Sequence, residues 1–237
     1  TKEVSTGIGL IKLAPLPKGF AKEYNPLDGA VTSTQDMAAI EKEWKKLEFN
    51  DDIPVEYYTG DRNSQGQKHG NGTFMWENGC SYIGGWINDK KHGNDCKYTF
   101  ANGETVEGNW SDDKIDGYAK YLNLNGDEYY GEFNEDNLME GTGKLTYFDG
   151  DVYEGCFRNG MRHHKGRMRF KEGDDFVGYF KHNKMNGFGT WNYVGGGSFQ
   201  GFFKNNRRHG TGTFCSSEGT VFEGTYVHAK KHGKGKT

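Results

Sequence analysis

Aromatic residues and glycines alternate with polar residues along most of the chain. In one stretch Tyr82, Gly84 and Trp86 stand at i, i+2 and i+4, a spacing that places them on one face of an extended strand. The same unit recurs every 23 or 24 residues from Tyr58 onward. Asn, Asp and Gly separate the units, and these residues suit tight turns. The pattern therefore predicts β-hairpins.

Each unit opens with an aromatic residue two places before a glycine, and a second aromatic residue follows that glycine by two places. A second strand, usually with Gly-x-Gly, completes the hairpin. The residues that define the repeats are Tyr58, Gly60, Tyr82, Gly84, Trp86, Gly108, Trp110, Tyr129, Gly131, Tyr153, Gly155, Gly178, Gly201 and Gly224. We predict an all-β fold over residues 58–237: a single-layer antiparallel β-meander rod of eight hairpins, the last incomplete.

The composition agrees with a sheet that packs rings on glycine. The chain has 37 glycines among 237 residues, only 33 % hydrophobic residues, a mean hydropathy of −0.93, and 15 % aromatic residues. A single sheet has no second layer to cover it, so large rings must lie across glycines on neighbouring strands. The glycine excess therefore indicates packing, not flexibility.

The repeat, Tyr-x-Gly-x-Trp/Phe followed by Gly-x-Gly and Asn/Asp-Gly, resembles the MORN (membrane occupation and recognition nexus) family. The first repeat, from Tyr58 to Gly72, is similar to the opening repeat of radial-spoke head MORN proteins of cilia. The resemblance implies a repeat protein without enzymatic activity. It also implies an affinity for phosphoinositide membranes.

Some repeats depart from the pattern. Repeat 2 has Asp95 in place of glycine and one extra residue, so we predict a β-bulge around Asp95–Cys96. Repeat 5 reads His164-Lys165-Gly166 instead of Gly-x-Gly. The sequence stops at Thr237 before the last strand is complete. That end is either truncated or completed by a partner, through homodimerisation or edge-strand pairing.

The N-terminal region has a different pattern. Residues 1–32 hold most of the prolines and are expected to run extended. Residues 33–57 are expected to form a helix and linker, with an apolar stripe made of Met37, Ile40, Trp44 and Leu47. This helix either caps the first repeat or docks onto another protein. The sequence begins with Thr and not Met, so the removal of an upstream transit peptide is a further alternative.

Charge is distributed unevenly. Residues 1–157 carry a net charge of −13 and residues 158–237 a net charge of +10. The two charged halves form either an ordinary solvated surface or a surface that orients partner proteins or an anionic membrane. Several basic residues fall near hairpin tips, which stacking would align along one edge. The candidate lipid-binding or partner-binding residues are Arg158, Arg162, Lys165, Arg167, Arg169, Lys181, Lys184, Arg207, Arg208, Lys230 and Lys231.

Catalytic and cofactor chemistry is not expected. The four cysteines form no CxxC pair, and most histidines occupy one repeat slot whose copies lie too far apart to share a metal. Paired carboxylates such as Asp112-Asp113 suit solvated turns, and no Gly-x-x-x-x-Gly-Lys-Ser/Thr loop is present. No apolar run is long enough to span a membrane. The net charge of −3 argues against nucleic acid.

Three functions remain open. The first is a non-enzymatic scaffold that holds other proteins of a large assembly, such as an axonemal radial-spoke head. The second is a peripheral membrane tether that binds acidic phospholipids through basic hairpin tips. The third is an accessory subunit of an organellar complex. The first two predict a cytoplasmic, cytoskeletal or ciliary location.

Overall fold

The computed structural model describes residues 56–236, which form one antiparallel sheet of 17 strands and contain no helix. The first eight strands are β1 (Tyr57–Arg62), β2 (Lys68–Met75), β3 (Ser81–Ile87), β4 (Lys90–Lys91), β5 (Gly93–Thr99), β6 (Thr105–Ser111), β7 (Lys114–Leu122) and β8 (Glu128–Phe133). The others are β9 (Met139–Thr146), β10 (Val152–Arg158), β11 (Met161–Arg169), β12 (Asp175–Lys181), β13 (Lys184–Asn192), β14 (Ser198–Lys204), β15 (Arg207–Cys215), β16 (Val221–Val227) and β17 (Lys230–Lys236). This is the predicted β-meander.

Each strand pairs with its neighbours in sequence. Strand β3 pairs with both β4 and β5, because a bulge divides what is a single strand in the other repeats. The register shifts between Gly93 and Cys96, and Asp95 has a φ of 53°, which confirms the predicted bulge. The predicted extended segment and helix, including Met37, Ile40, Trp44 and Leu47, lie outside the described residues.

Glycine pairs form the centre of the sheet. Gly178 faces Gly189 across β12 and β13, and the ring of Phe176 covers both. A Cβ added to Gly189 would lie only 2.5 Å from the Phe176 ring, so no larger residue fits without moving the ring. In four repeats the ring is a tyrosine, and its hydroxyl donates to the carbonyl three residues later, as from Tyr153 to Cys156 at 2.9 Å. The predicted packing of rings on glycines is confirmed.

The rings contact one another from repeat to repeat on the same face, which we call the aromatic face. Within a repeat, Phe199 meets Phe203 edge-to-face with centroids 5.4 Å apart. Between repeats, Phe199 meets Tyr226 at 5.0 Å. Equivalent contacts join Tyr82 to Trp110 and Phe176 to Phe203. The hydrophobic core is therefore a continuous row of rings on one side of the sheet.

The two edges of the sheet carry different turns. On one edge, which we call the tip edge, six hairpins have two consecutive residues with positive φ, as in type I′ turns. They are Asn88-Asp89, Asp112-Asp113, Asn159-Gly160, His182-Asn183, Asn205-Asn206 and His228-Ala229. The opposite edge, the loop edge, has longer turns, such as the one closed by Phe100 N–H donating to the Glu104 carbonyl at 2.8 Å. All short tips therefore lie side by side.

Candidate functional site: the tip edge and the open face

Hydrogen bonds join each tip to the preceding repeat. The Asn206 amide donates to the Met185 carbonyl at 3.0 Å, and the Met185 amide donates to Asn206 Oδ1 at 2.7 Å. Asn183 makes the same pair of bonds with Arg162, and Asp89 with Lys68. The second turn residue thus supplies positive φ and also connects two repeats. These bonds hold the tips in a row.

The first half of the tip edge neutralises its own charge. Lys68, Lys90 and Lys114 each form an ion pair with an acidic residue in the next tip. The distances are 3.3 Å from Lys68 to Asp89, 3.3 Å from Lys90 to Asp112 and 3.1 Å from Lys114 to Glu135. Cations of these repeats therefore have partners within the chain.

The second half of the tip edge has exposed cations without such partners. Within residues 56–236, none of these cations has a carboxylate within ion-pairing distance: Arg158, Lys181, Lys184, Lys204, Arg207 and Lys230. The tips of repeats 6 to 8 have His, Asn and Ala where earlier tips have Asp. We call these six residues the cationic tips. Five of them are among the residues predicted from the sequence, and Lys204 is an addition.

Three other predicted residues point to the aromatic face instead. Arg162 is only 4 % exposed and its guanidinium lies 5.6 Å from the Tyr153 ring and 5.7 Å from the Phe180 ring. Arg208 lies 5.4 Å from the Phe199 ring, and Lys231 lies 3.8 Å from the Phe222 ring. Because successive residues of a strand alternate between its two faces, Arg207 points away from the aromatic face on which Arg208 packs. These three cations are part of the packing.

Arg167, Arg169 and Lys165 lie away from the tips, on the face opposite the aromatic face. Arg167 pairs with Asp175 at 2.6 Å, and Arg169 pairs with Glu154. Lys165 lies over the Tyr179 ring at 5.9 Å. The five basic residues predicted in repeat 5, from Arg158 to Arg169, are thus divided among two faces and an edge and do not form a single patch.

The sequence did not reveal that Lys91 is buried among rings. It occupies the slot of Arg162 and Arg208, is 4 % exposed, and its Nζ lies 4.6 Å from the Trp110 ring and 5.1 Å from the Tyr98 ring. Burial lowers the pKa of its ammonium group to about 8, although the Asp113 carboxylate opposes this. The sequence signal that could have predicted this buried cation is the recurrence of Lys or Arg one or two residues after the tip.

A cluster of histidines lies beside the cationic tips of repeats 5 and 6. The ring centroids of His163 and His164 are 4.7 Å apart, and those of His163 and His182 are 5.4 Å apart. Burial and the neighbouring His164, His182, Arg158 and Lys181 lower the pKa of His163. The adjacency of His163 and His164 is visible in the sequence, but the contact with His182 is not, because His182 belongs to the next tip.

The face opposite the aromatic face, which we call the open face, exposes large apolar side chains. Tyr118 and Tyr130 lie 5.7 Å apart and are 48 % and 55 % exposed. Phe188 and Phe202 lie 5.5 Å apart and are 45 % and 47 % exposed. A groove of about 440 Å³ runs beside Phe188 over Gly201, Gly212 and Gly224. The four exposed rings occupy strand positions that alternate with those of the aromatic face, and that alternation could have identified them from the sequence.

Clusters of metal-binding side chains and membrane-spanning helices are not seen in the described part of the chain. Among residues 56–236, no group of three or more His, Cys, Asp or Glu side chains is arranged to hold a metal ion. In the same residues no helix has the length and apolar character needed to cross a bilayer.

Comparison with solved structures finds domains with limited similarity. The TCP domain of Drosophila melanogaster SAS-4 (dCPAP), solved in complex with a proline-rich motif of Ana2 (dSTIL), is 13 % identical, with a TM-score of 0.44. The match covers 76 % of this chain and 95 % of that domain. The TCP10 domain of Danio rerio CPAP is 12 % identical, with a TM-score of 0.26, over 70 % of this chain and 87 % of that chain. No curated protein sequence is significantly similar.

The MORN repeat family matches the chain in eight consecutive segments. They cover residues 64–81, 82–105, 107–128, 129–152, 153–175, 176–198, 199–221 and 222–237. From residue 129 onward the segments begin at the first aromatic residue of each hairpin, so the family repeat and the structural repeat coincide. Together they span more than half of the chain, which therefore belongs to the MORN repeat family.

Proposed function

We propose that this protein is a non-catalytic scaffold that binds other proteins on the open face of its sheet. MORN repeats are typical of scaffolds that bind proteins or membranes. The observation that supports protein binding is the pair of exposed ring clusters, Tyr118 with Tyr130 and Phe188 with Phe202. Exposed aromatic side chains are enriched in protein interfaces because they bury large areas with little loss of side-chain entropy.

The sheet is suited to holding partners at fixed positions. Its aromatic face is filled by a continuous row of rings, and its tips are joined by hydrogen bonds. The side chains of the open face are therefore not part of the core, which lies on the aromatic face. Substitutions on that face can remove contacts with a partner without removing the core.

The test is affinity purification of the tagged protein in two variants. The variant Phe188→Ser/Phe202→Ser is expected to lose partners that the original protein retains, and a purified partner should bind it at least about tenfold more weakly, a typical loss for two interface rings. The control is Leu124→Ser/Phe148→Ser, which replaces exposed apolar residues of the loop edge. Recovery of the same partners with equal affinity by both variants would contradict the proposal.

A second function, that of a peripheral membrane tether, is supported by the cationic tips. Six exposed cations lie along one edge without acidic partners in residues 56–236, whereas earlier tips neutralise their own lysines. A basic residue close to an anionic leaflet contributes about 1 kcal/mol. The edge could therefore hold the sheet on a surface of acidic phospholipids while the open face binds proteins.

Vesicle flotation tests the tether. Arg207→Ala/Lys230→Ala is expected to weaken binding to anionic vesicles about tenfold or more, since each lost cation costs about 1 kcal/mol. Lys90→Ala/Lys114→Ala removes two tip lysines that are already ion-paired and should have a much smaller effect. Equal losses from both pairs, or no flotation of the original protein, would refute the tether.

For the assembly itself we propose an axonemal radial-spoke head. The similarity of repeat 1 to the opening repeat of spoke-head proteins supports this, and we propose that the helix expected in residues 33–57 docks there or caps repeat 1. Purification from ciliated cells should then recover axonemal proteins. Recovery of an organellar complex instead would support the alternative of an organellar accessory subunit.

A further inference from the structure

His164 occupies a backbone position at which six of the other seven repeats have glycine and repeat 2 has Asp95. Its φ is 56°, and the equivalent residues in six other repeats are Gly70, Gly117, Gly141, Gly187, Gly210 and Gly233, all with positive φ. A residue with a Cβ is disfavoured in this region. Side chains kept at such positions often serve a function. Here the side chain is an imidazole that contacts a second imidazole, His163.

The cluster joins two repeats. His163 and His164 lie on β11, and His182 is the first turn residue of the next tip. The ring of His163 lies between them, with centroids 4.7 Å from His164 and 5.4 Å from His182. A second pair has the same construction, since His209 of β15 contacts His228 of the following tip at 6.0 Å.

The charged groups around this cluster are mostly positive. Arg158 at the end of β10 and Lys181 at the end of β12 both disfavour the charged form of His163, and so do His164 and His182. Lys184 on β13, which pairs with Lys181 across the same tip, adds a further positive charge. A carboxylate also lies at this tip: Glu140 of β9, whose Oε2 accepts the Asn159 amide at 2.8 Å.

We propose that His163, His164 and His182, together with Arg158 and Lys181, form a proton-dependent site for the phosphate groups of an anionic lipid surface. This inference rests on the tether function proposed above. Protonation adds up to three charges to an edge that already carries unpaired cations. A phosphate surface offsets the repulsion among them, so binding and proton uptake favour each other. The tether is thereby strengthened as pH falls.

Flotation on phosphatidylcholine vesicles that contain phosphatidylglycerol tests the proposal, because the charge of this phosphodiester does not change between pH 5.5 and 7.5. For the full chain we expect affinity to increase roughly tenfold or more from about pH 7.5 to about pH 5.5, as uptake of one proton gives up to about tenfold per pH unit. The variant His163→Asn/His164→Gly/His182→Asn should lose this increase and retain its binding at the higher pH.

The variant is designed to remain folded, because His164→Gly introduces the residue found at this position in six other repeats. The control His69→Asn/His92→Asn changes histidines beside ion-paired tips and should keep the increase. An equal increase in the cluster variant, or none in the original protein, would overturn the site. If Arg207→Ala/Lys230→Ala binds like the original protein at both pH values, the tether itself fails, which is a separate result.

Nuclear magnetic resonance of the histidine rings provides a second measurement. Anionic vesicles are expected to raise the pKa of His163, and vesicles of phosphatidylcholine alone should leave it unchanged. A matching increase with soluble inorganic phosphate at equal phosphate concentration would overturn the assignment to a lipid surface, since the site would then bind the free anion equally well.

Discussion

At the scale of single residues, the fold depends on glycines whose missing side chains leave space for rings. Phe176 covers Gly178 and Gly189, and Tyr153 covers Gly155 and Gly166. The ring is buried in the space that the glycines leave, and as a consequence these glycine positions tolerate no Cβ. Each repeat-defining glycine is therefore a packing residue, and its substitution should act as overpacking does in an ordinary core.

Gly189→Ala is expected to lower the free energy of unfolding by about 1–3 kcal/mol, because the new methyl group collides with the Phe176 ring. The matched control is Gly195→Ala, where an added Cβ has no neighbour within 4 Å. Chemical denaturation of both variants measures the difference. Equal stability of the two would show that the ring moves aside without cost.

Lys91 links stability to pH. Its pKa is lowered to about 8 in the folded protein, so the folded state releases a proton that the unfolded chain keeps up to its ordinary pKa of about 10.5. Unfolding therefore takes up a proton between about pH 8 and 10.5, and stability rises with pH across this window, by at most about 3 kcal/mol.

The measurement compares denaturation of the original protein with that of Lys91→Met from about pH 7 to 10. The difference in stability between them should shift in favour of the original protein as pH rises. Tyrosines buried on the same face keep their protons to higher pH than usual, and they are present in both proteins. A pH-independent difference would mean that Lys91 titrates normally.

At the scale of the element, each hairpin is held to the one before it through its tip. The second turn residue donates its amide and accepts another amide with its side chain, as Asn206 does with Met185. In the last tip Ala229 replaces this residue: its amide still donates to the Arg208 carbonyl, its side chain accepts no bond, and its carbonyl accepts the Arg208 guanidinium at 3.2 Å. The tips thus add a second line of connections beside the strand pairing.

Asn206→Gly is expected to destabilise the protein by about 1–2 kcal/mol, since the Met185 amide loses its acceptor while glycine still adopts the positive φ. Asn205→Gly is the control: it also occupies a positive-φ position but accepts no hydrogen bond from the preceding repeat. Thermal unfolding distinguishes them. Equal losses would indicate that turn conformation alone stabilises the tip.

At the scale of the whole molecule, the sheet is close to one-dimensional. Every strand pairs with strands adjacent in sequence, except that β3 also pairs with β5 across the bulge, and rings contact their own repeat and the next. Stability should therefore be approximately the sum of repeat and interface contributions. The charge asymmetry also belongs to this scale, because repeats 1 to 3 pair their tip lysines with acidic residues of the next repeat, whereas the cationic tips of repeats 5 to 8 have no such partner within residues 56–236.

Deletion of residues 176–198, one whole repeat, should leave a folded protein of lower stability, because the new junction places Phe199 where Phe176 stood. Circular dichroism should show the same β signal per residue. Deletion of residues 176–186, which is about half a repeat, breaks the register at the junction and should uncouple the repeats on its two sides, so that they unfold in two separate transitions. A single cooperative transition after this deletion would contradict the one-dimensional description.

The amino-acid sequence by itself determined the repeat, its strands, its tight turns and the face that each ring occupies, because these depend on local spacing and on the conformations that glycine, asparagine and aspartate allow. The bulge at Asp95 was predictable for the same reason. Only the tertiary structure decided which cations remain exposed. Arg207 and Arg208 are adjacent in sequence, yet one extends to solvent and the other packs on Phe199. The pairing of Lys90 with Asp112 and the meeting of His163 with His182 also join different repeats, and such contacts follow from the register between hairpins and not from the spacing within one.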